Sequence, residues 1–309
     1  MNLVNIKRYI GDSIFSFYRI FVSLKRYIMK TRFTPFYLLF FVFAMFLSCE
    51  TNKKHDAPND IVYDSISVAK IYHLDNDSTK PSCSLKIKYI YPVKYKNEVV
   101  LSKMQAELNF ALMEDERYEK FTPADAVDKY IVDYIENYKQ DASEQFPDWS
   151  ESDDPEDYFS YYKTLGTKVV FDKGGLLSYQ ITSMDYKGGA NSSTSYRNVV
   201  INLKTGESIY EKDIYMPDYK EFLNALLIKK IVEQNKVQDP EDLLMYGYWG
   251  IEDLTSSNNF LIDENGITYI FNPGEYSAPT LGEIKVFLSY DEIKTILKPE
   301  SPISDLIGI

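Results

Sequence analysis

The side chains of this chain that suit chemistry are two histidines, two cysteines and a surplus of carboxylates, and their spacing points away from a catalytic centre. His55 and His73 stand in no zinc-type spacing with Cys49 or Cys83, and no serine–histidine or cysteine–histidine pairing has the context of a nucleophile and its base. No glycine-rich loop follows a strand pattern and opens a helix, so no phosphate cradle is expected. Between 144 and 157, Asp148, Glu151, Asp153, Asp154, Glu156 and Asp157 crowd together. A calcium loop needs alternating ligands around a turn glycine, and no glycine occurs between Gly11 and Gly166, so the stretch reads as a solvated acidic loop. Cys83, between Pro81 and the alternation Leu85, Ile87, Tyr89, has the setting of a small buried hydrophobe. No catalytic residue, metal site or cofactor is expected.

Cys49 is the exception. An almost unbroken apolar run from Phe36 to Leu47 follows the basic Met29-Lys-Thr-Arg32 and ends at Leu47-Ser48-Cys49, the layout of a secretory signal. The run is about half of the ~20 residues that a spanning helix needs. Phe46-Leu47-Ser48-Cys49 looks like a bacterial lipobox with phenylalanine in place of the usual leucine, which implies that Cys49 is lipidated and heads the mature chain. Residues 1–28 read as a misassigned upstream start, 29–48 as the signal peptide and 49–64 as a polar tether. The expected location is the bacterial cell envelope, lipid-anchored and facing the periplasm or the cell exterior.

Of 34 basic and 46 acidic residues, residues 1–48 hold seven and one, leaving 27 and 45, a formal charge of −18. So acidic a surface excludes nucleic acid, whose phosphates demand a basic face, and favours cationic partners at short range.

The elements follow from periodicity. The hydrophobic fraction of 45% supplies a globular core. Ile61–Tyr72 and Ser84–Val93 read as strands; Lys168–Asp172, Leu176–Tyr186 and Ser195–Leu203 form a meander broken at Gly174-Gly175 and Gly188-Gly189. In its third strand Val199, Ile201 and Leu203 share one face, with Asn198 and Asn202 on the other, as expected of a half-buried strand. Helices are expected near 97–114, capped by Asn97, near 122–140, capped by Thr122, and near 218–236, opened by a capping box at Asp218-Tyr-Lys-Glu221. Met245–Trp249 is an aromatic cluster. Phe260–Ile262 and Ile267–Phe271 flank an asparagine-glycine turn, Glu283–Leu288 adds a strand, and Tyr290–Leu297 a closing helix. The fold class is α+β: antiparallel sheet covered by helices, in two closely packed halves, 65–196 and 197–309, meeting near Arg197.

Several motifs recur in order: Tyr186-Lys-Gly-Gly-Ala190, Asn198-Val-Val-Ile-Asn-Leu-Lys-Thr-Gly-Glu207, Asp213-Ile-Tyr215, Phe260 through Asn272-Pro273, and Gly282-Glu-Ile-Lys-Val286. Over about residues 65–298 this resembles the paired uncharacterised domains of bacterial envelope lipoproteins. Similar domains form the extracytoplasmic part of the lysozyme-sensing anti-sigma factor of sigma-V type and the amino-terminal module of a peptidoglycan deacetylase. Two positions depart from the family, Asn191 where histidine is usual and Gly274 where an aromatic is common. The resemblance and the charge together imply a lipid-anchored binding protein without catalytic activity, whose ligand is lysozyme or another cationic protein, or a cell-wall glycan. An enzyme acting on cell-wall material and a structural envelope lipoprotein are the alternatives. The expected contacts lie in the loops 186–196 and 272–280, through Tyr186, Asn191, Tyr196 and Tyr276, with Gly188, Gly189 and Pro273 shaping the turns.

Overall fold

The computed structural model describes residues 58–145, 160–188 and 191–307, all within one compact unit. Cys49, Gly189 and most of the acidic stretch 144–157 lie outside the described residues. Among the described residues nine strands form two sheets. The first runs β1 (Val62–His73), β2 (Ser82–Lys94), β3 (Tyr161–Lys173), β4 (Leu176–Tyr186), β5 (Ser193–Asn202) and β6 (Glu207–Ser208), in that spatial order. The second is β7 (Phe260–Ile262), β8 (Gly266–Phe271) and β9 (Ile284–Ser289). All pairings are antiparallel except β2 with β3, which is parallel. That connection carries α1 (Glu98–Met113) and α2 (Pro123–Gln145), the crossover that a parallel neighbour requires.

Both helices begin where their caps predict. Asn97 Oδ1 accepts from the amides of Val99 and Val100 at 3.0 and 3.3 Å, and Thr122 Oγ1 accepts from that of Asp125 at 3.2 Å. Met104, Leu108 and Leu112 of α1 and Val127, Ile131 and Tyr138 of α2 join Leu85, Ile87, Tyr89, Tyr179 and Ile201 of the sheet in one core. Cys83 is part of it, 1% exposed, and burial pushes its thiol up to about 11.

The third helix, α3 (Tyr219–Asn235), starts differently from expectation. Asp218 sits in the left-handed region at φ 64° and makes no side-chain cap, because a capping carboxylate reaches the first-turn amides only from extended backbone. Leu223, Leu227 and Ile231 of α3 join Phe260, Ile262 and Tyr269 of the small sheet in a second core.

The second core also takes Phe171, Leu176 and Val200 from the far face of the large sheet. β5 is therefore covered on both sides, and Asn198, expected on a solvated face, is 5% exposed. The division expected at 196/197 falls inside β5, where Tyr196 opposite Thr182 and Arg197 opposite Ile181 belong to one ladder with β4. Polar side chains splice the sheets. Ser178 Oγ of β4 donates to the Ile262 carbonyl at 2.7 Å and accepts from its amide at 3.3 Å. Asn259 Oδ1 accepts from the Asn198 amide at 2.9 Å while its Nδ2 donates to the carbonyls of Tyr196 and Ile270 at 3.0 and 2.9 Å. Asn272 Oδ1 accepts from the Tyr196 amide at 2.6 Å. Asn259 and Asn272 satisfy the β5 backbone beyond the reach of the two-residue β6.

A closing turn at Tyr290–Ile293 is capped by Glu292, which accepts from the Ser289 amide at 3.0 Å and pairs with Lys230 of α3 at 2.5 Å. The Lys230 hydrogen bond, then the Ser289 amide, holds the Glu292 carboxyl at about 2, below its ordinary 4.5. A depressed folded pKa gives stability that is full above the unfolded value and lost as pH falls toward the folded one. With the Glu292 side chain 32% exposed, solvent screening reduces the expected contribution to about 1 kcal/mol. Glu292→Gln should thus trail the parent by about 1 kcal/mol at pH 7, with the gap closing between pH 4.5 and 2. A gap unchanged at pH 2 in urea titrations would refute the pairing.

Candidate functional site

Among the described residues the most exposed large hydrophobic side chain, Met245, lies in the segment between α3 and β7. Asp239-Pro240 opens a short helical segment, Pro240–Tyr246, with the Asp239 amide donating to Asp242 Oδ2 at 3.2 Å. One residue of this segment, Leu243, is buried, at 1%. Leu244, Met245 and Tyr246 turn outward, exposed to 65%, 90% and 55%. The segment ends at Gly247, whose φ of 83° ends the helix in the left-handed conformation that glycine adopts without strain. The chain then runs beside 276–278: the Trp249 amide donates to the Tyr276 carbonyl at 3.0 Å and the Ala278 amide to the Gly247 carbonyl at 2.8 Å. Trp249 is exposed, and exposed Leu281 packs next to Gly247. Ile251, buried at 1%, returns the chain to the core.

Leu243 and Ile251 thus pin a knob whose outer face is Leu244, Met245, Tyr246 and Trp249, with Leu281 alongside. Isolated exposed hydrophobes are ordinary; a run of them is the mark of an interaction surface. Its flanks are acidic: Asp239, Glu241, Asp242, Glu252 and Asp253 are exposed and form no ion pair among the described residues. The arrangement suits a partner that presents apolar surface edged with positive charge.

The residues expected as contacts fall in two places. Tyr196 and Tyr276 lie on either side of the Asn272 turn, where the Asn272 amide donates to Glu275 Oε2 at 2.8 Å and Pro273 follows half-buried. The Tyr276 ring meets Phe271 edge-on at 5.4 Å and its hydroxyl accepts from the Thr255 amide at 3.2 Å, so it supports the knob from beneath. Burial, then nearby Glu283, raises the Tyr196 phenol above its usual range. Tyr186 ends β4 and stacks on Tyr162 at 5.0 Å. Gly188 (φ 87°) and exposed Asn191 follow at the hairpin end. Tyr196 is opposite Thr182, which places Tyr186 about 13 Å further along the strand at ~3.3 Å per residue.

The knob was missed as a site in the sequence, where Met245–Trp249 reads only as an aromatic cluster. The signal lay in its setting: aromatics Tyr246, Tyr248 and Trp249 around two glycines, Gly247 and Gly250, with acids on both sides.

A second polar centre is buried. Glu211, 2% exposed, accepts from Lys220 Nζ at 2.6 Å and from the Tyr219 hydroxyl at 2.9 Å. Lys220 Nζ also donates to the carbonyl and hydroxyl of Ser256 at 2.7 and 3.0 Å. Among the described residues no group of three or more His, Cys, Asp or Glu side chains is placed to hold a metal ion, and no helix is long and apolar enough to cross a membrane.

Residues 212–291, which contain the knob, α3 and the small sheet, match the model of a family described as Protein of unknown function (DUF3298). No functionally curated protein matches the chain. A crystal structure of a DUF3298 family member from Bacteroides fragilis is similar over 82% of this chain and 100% of its own, with 26% identity and a TM-score of 0.76. A DUF3298 family protein from Pseudomonas aeruginosa shares the fold over 81% of this chain and 97% of its own, at 15% identity and a TM-score of 0.53. This chain therefore carries a DUF3298 domain at residues 212–291, within a fold shared with solved proteins of that family.

Proposed function

We propose that this protein is a lipid-anchored, non-catalytic binding module of the bacterial cell envelope that captures a cationic protein, lysozyme being the first candidate, through the knob at 244–249. The observation that carries the reading is the exposed face of Leu244, Met245, Tyr246 and Trp249 flanked by five carboxylates that form no ion pair among the described residues. Three sequence features support it: the lipobox-like Cys49, the charge of −18 beyond residue 48, and the resemblance to the extracytoplasmic domain of the lysozyme-sensing anti-sigma factor.

Cys49→Ser should release the protein from the membrane fraction, and the released protein is then titrated with lysozyme at low salt. A complex is expected that weakens as ionic strength rises, because the Debye length falls from ~10 Å at 0.1 M to ~3 Å at 1 M. Met245→Ala and Trp249→Ala should each weaken it about tenfold, the effect of truncating an anchor worth more than ~1 kcal/mol. Absence of a complex removes lysozyme as the ligand; binding indifferent to both substitutions removes the knob as its site.

A further inference from the structure

β1 is an edge strand of twelve residues, paired with β2 on one side and, among the described residues, with no strand on the other. Long edges invite pairing, and chains that avoid it blunt them with proline, bulges or short length. β1 contains no proline, and its one register shift is confined to Val62/Tyr63. Between Tyr63 and Tyr72 its only charges are Asp64 and Lys70, neither of which has an ion-pair partner among the described residues. Both lie on the helix-covered face, Asp64 opposite Tyr91 and Lys70 opposite buried Leu85. Half-buried Ile66 and Val68 stand between them, opposite Tyr89 and Ile87.

The order acid, apolar, apolar, base on one face of an edge is its own complement when read backwards. We infer that β1 pairs antiparallel with β1 of a second copy about a two-fold axis at Ser67, joining two six-stranded sheets into one. This register sets each Asp64 opposite the other copy's Lys70 and each Ile66 opposite the other's Val68, an isologous interface with its charges matched twice. Moving the axis to Ile66 would place Asp64 opposite Val68 and lose both pairs, so the charges select one register. The interface is remote in sequence from the knob and does not depend on what the knob binds.

Ser67 is exposed, and at the axis it faces its own counterpart. Directly opposed residues of an antiparallel pair have Cα atoms about 4.5–5.5 Å apart, inside the ~4.4–6.8 Å that a disulfide spans. Ser65, two residues away, would lie about 13 Å from its counterpart and cannot be bridged. The full-length chain carrying Ser67→Cys should therefore give a dimer on a non-reducing gel after mild oxidation, and the chain carrying Ser65→Cys should not. Adding Asp64→Lys to Ser67→Cys opposes lysines at two places and should cut the dimer yield about tenfold; adding Lys70→Asp as well should restore it. Two results would overturn the proposal: no dimer from a Ser67→Cys chain whose thiol still reacts with maleimide, or equal dimer from both cysteine positions. A yield indifferent to the charge reversals would likewise overturn the register.

Discussion

Gly266→Ala should unfold this protein about 6–12 °C earlier than the parent. The start of β8 lies so close to β9 that a Cβ at residue 266 would stand 2.1 Å from the Leu288 carbonyl oxygen, and 2.8 and 2.9 Å from two carbons of the Phe287 ring. The ring can swing aside; the carbonyl belongs to the backbone of the β8–β9 ladder, in which Gly266 pairs with Ser289 and Ile267 with Leu288. Parting that ladder disturbs the core formed by Ile267, Tyr269 and Val286, each 0% exposed. Overpacking of this kind costs about 3 kcal/mol, and at this chain length each kcal/mol lowers the midpoint by ~2–4 °C. Gly166 in β3 is the control: a Cβ there meets nothing within 4 Å, and Gly166→Ala should change stability by no more than ~0.5 kcal/mol. Equal midpoints for the two alanine variants in thermal unfolding would show that close approach is not what selects glycine at 266.

Gly266 also shows how far the sequence could be read. Asn265-Gly266 carries the signal of a tight hairpin, and β7 and β8 do form one, with Ile262 paired to Ile267. The glycine is absent from the residues with positive φ, however, and the turn is built instead by Asp263, whose Oδ1 accepts from the amides of Asn265 and Gly266 at 2.7 and 3.1 Å. The element was legible and its reason was not, because the reason is a strand some twenty residues later in sequence. The same holds for β5. Alternation reveals that Val199 and Ile201 differ in environment from Asn198, but not that a second sheet covers Asn198 and satisfies it through Asn259. Periodicity reports a difference between two faces, and polarity equals exposure only while no other backbone needs the polar group. The parallel pairing of β2 with β3 was hidden for a related reason. The helices in the connection were read correctly from Asn97 and Thr122, but the alternation within each strand carries no direction. Of the expected contacts, Tyr276 proved to brace a surface whose exposed members, Met245 above all, lie in a stretch that reads in the sequence only as an aromatic cluster.

Lys220→Met should cost about 2 kcal/mol, through the carboxylate it abandons. Glu211 is buried in the short helix Glu211–Ile214, where its amide donates to Asn258 Oδ1 at 2.9 Å, and its charge is balanced by Lys220 on α3 at 2.6 Å. Breaking a fully buried pair by removing one partner costs ~3–5 kcal/mol, because the remaining charge has lost its solvent and its counter-ion together. The Lys220 side chain is 45% exposed, so water can approach from its side, which places the expected loss below that range. Lys220 also ties α3 to the segment before β7 through the carbonyl and hydroxyl of Ser256, and methionine restores the length of the side chain but neither bond. Glu211→Gln keeps an acceptor for the Tyr219 hydroxyl, now at 2.9 Å, but removes the charge that Lys220 answers. In the double variant no unbalanced charge remains inside, so its cost should fall short of the sum of the single costs by about 1–2 kcal/mol. Urea unfolding of the four proteins measures that coupling. Additive losses would mean that the two side chains act separately, and that the Glu211–Lys220 pair is not what couples the helix at 211–214 to α3.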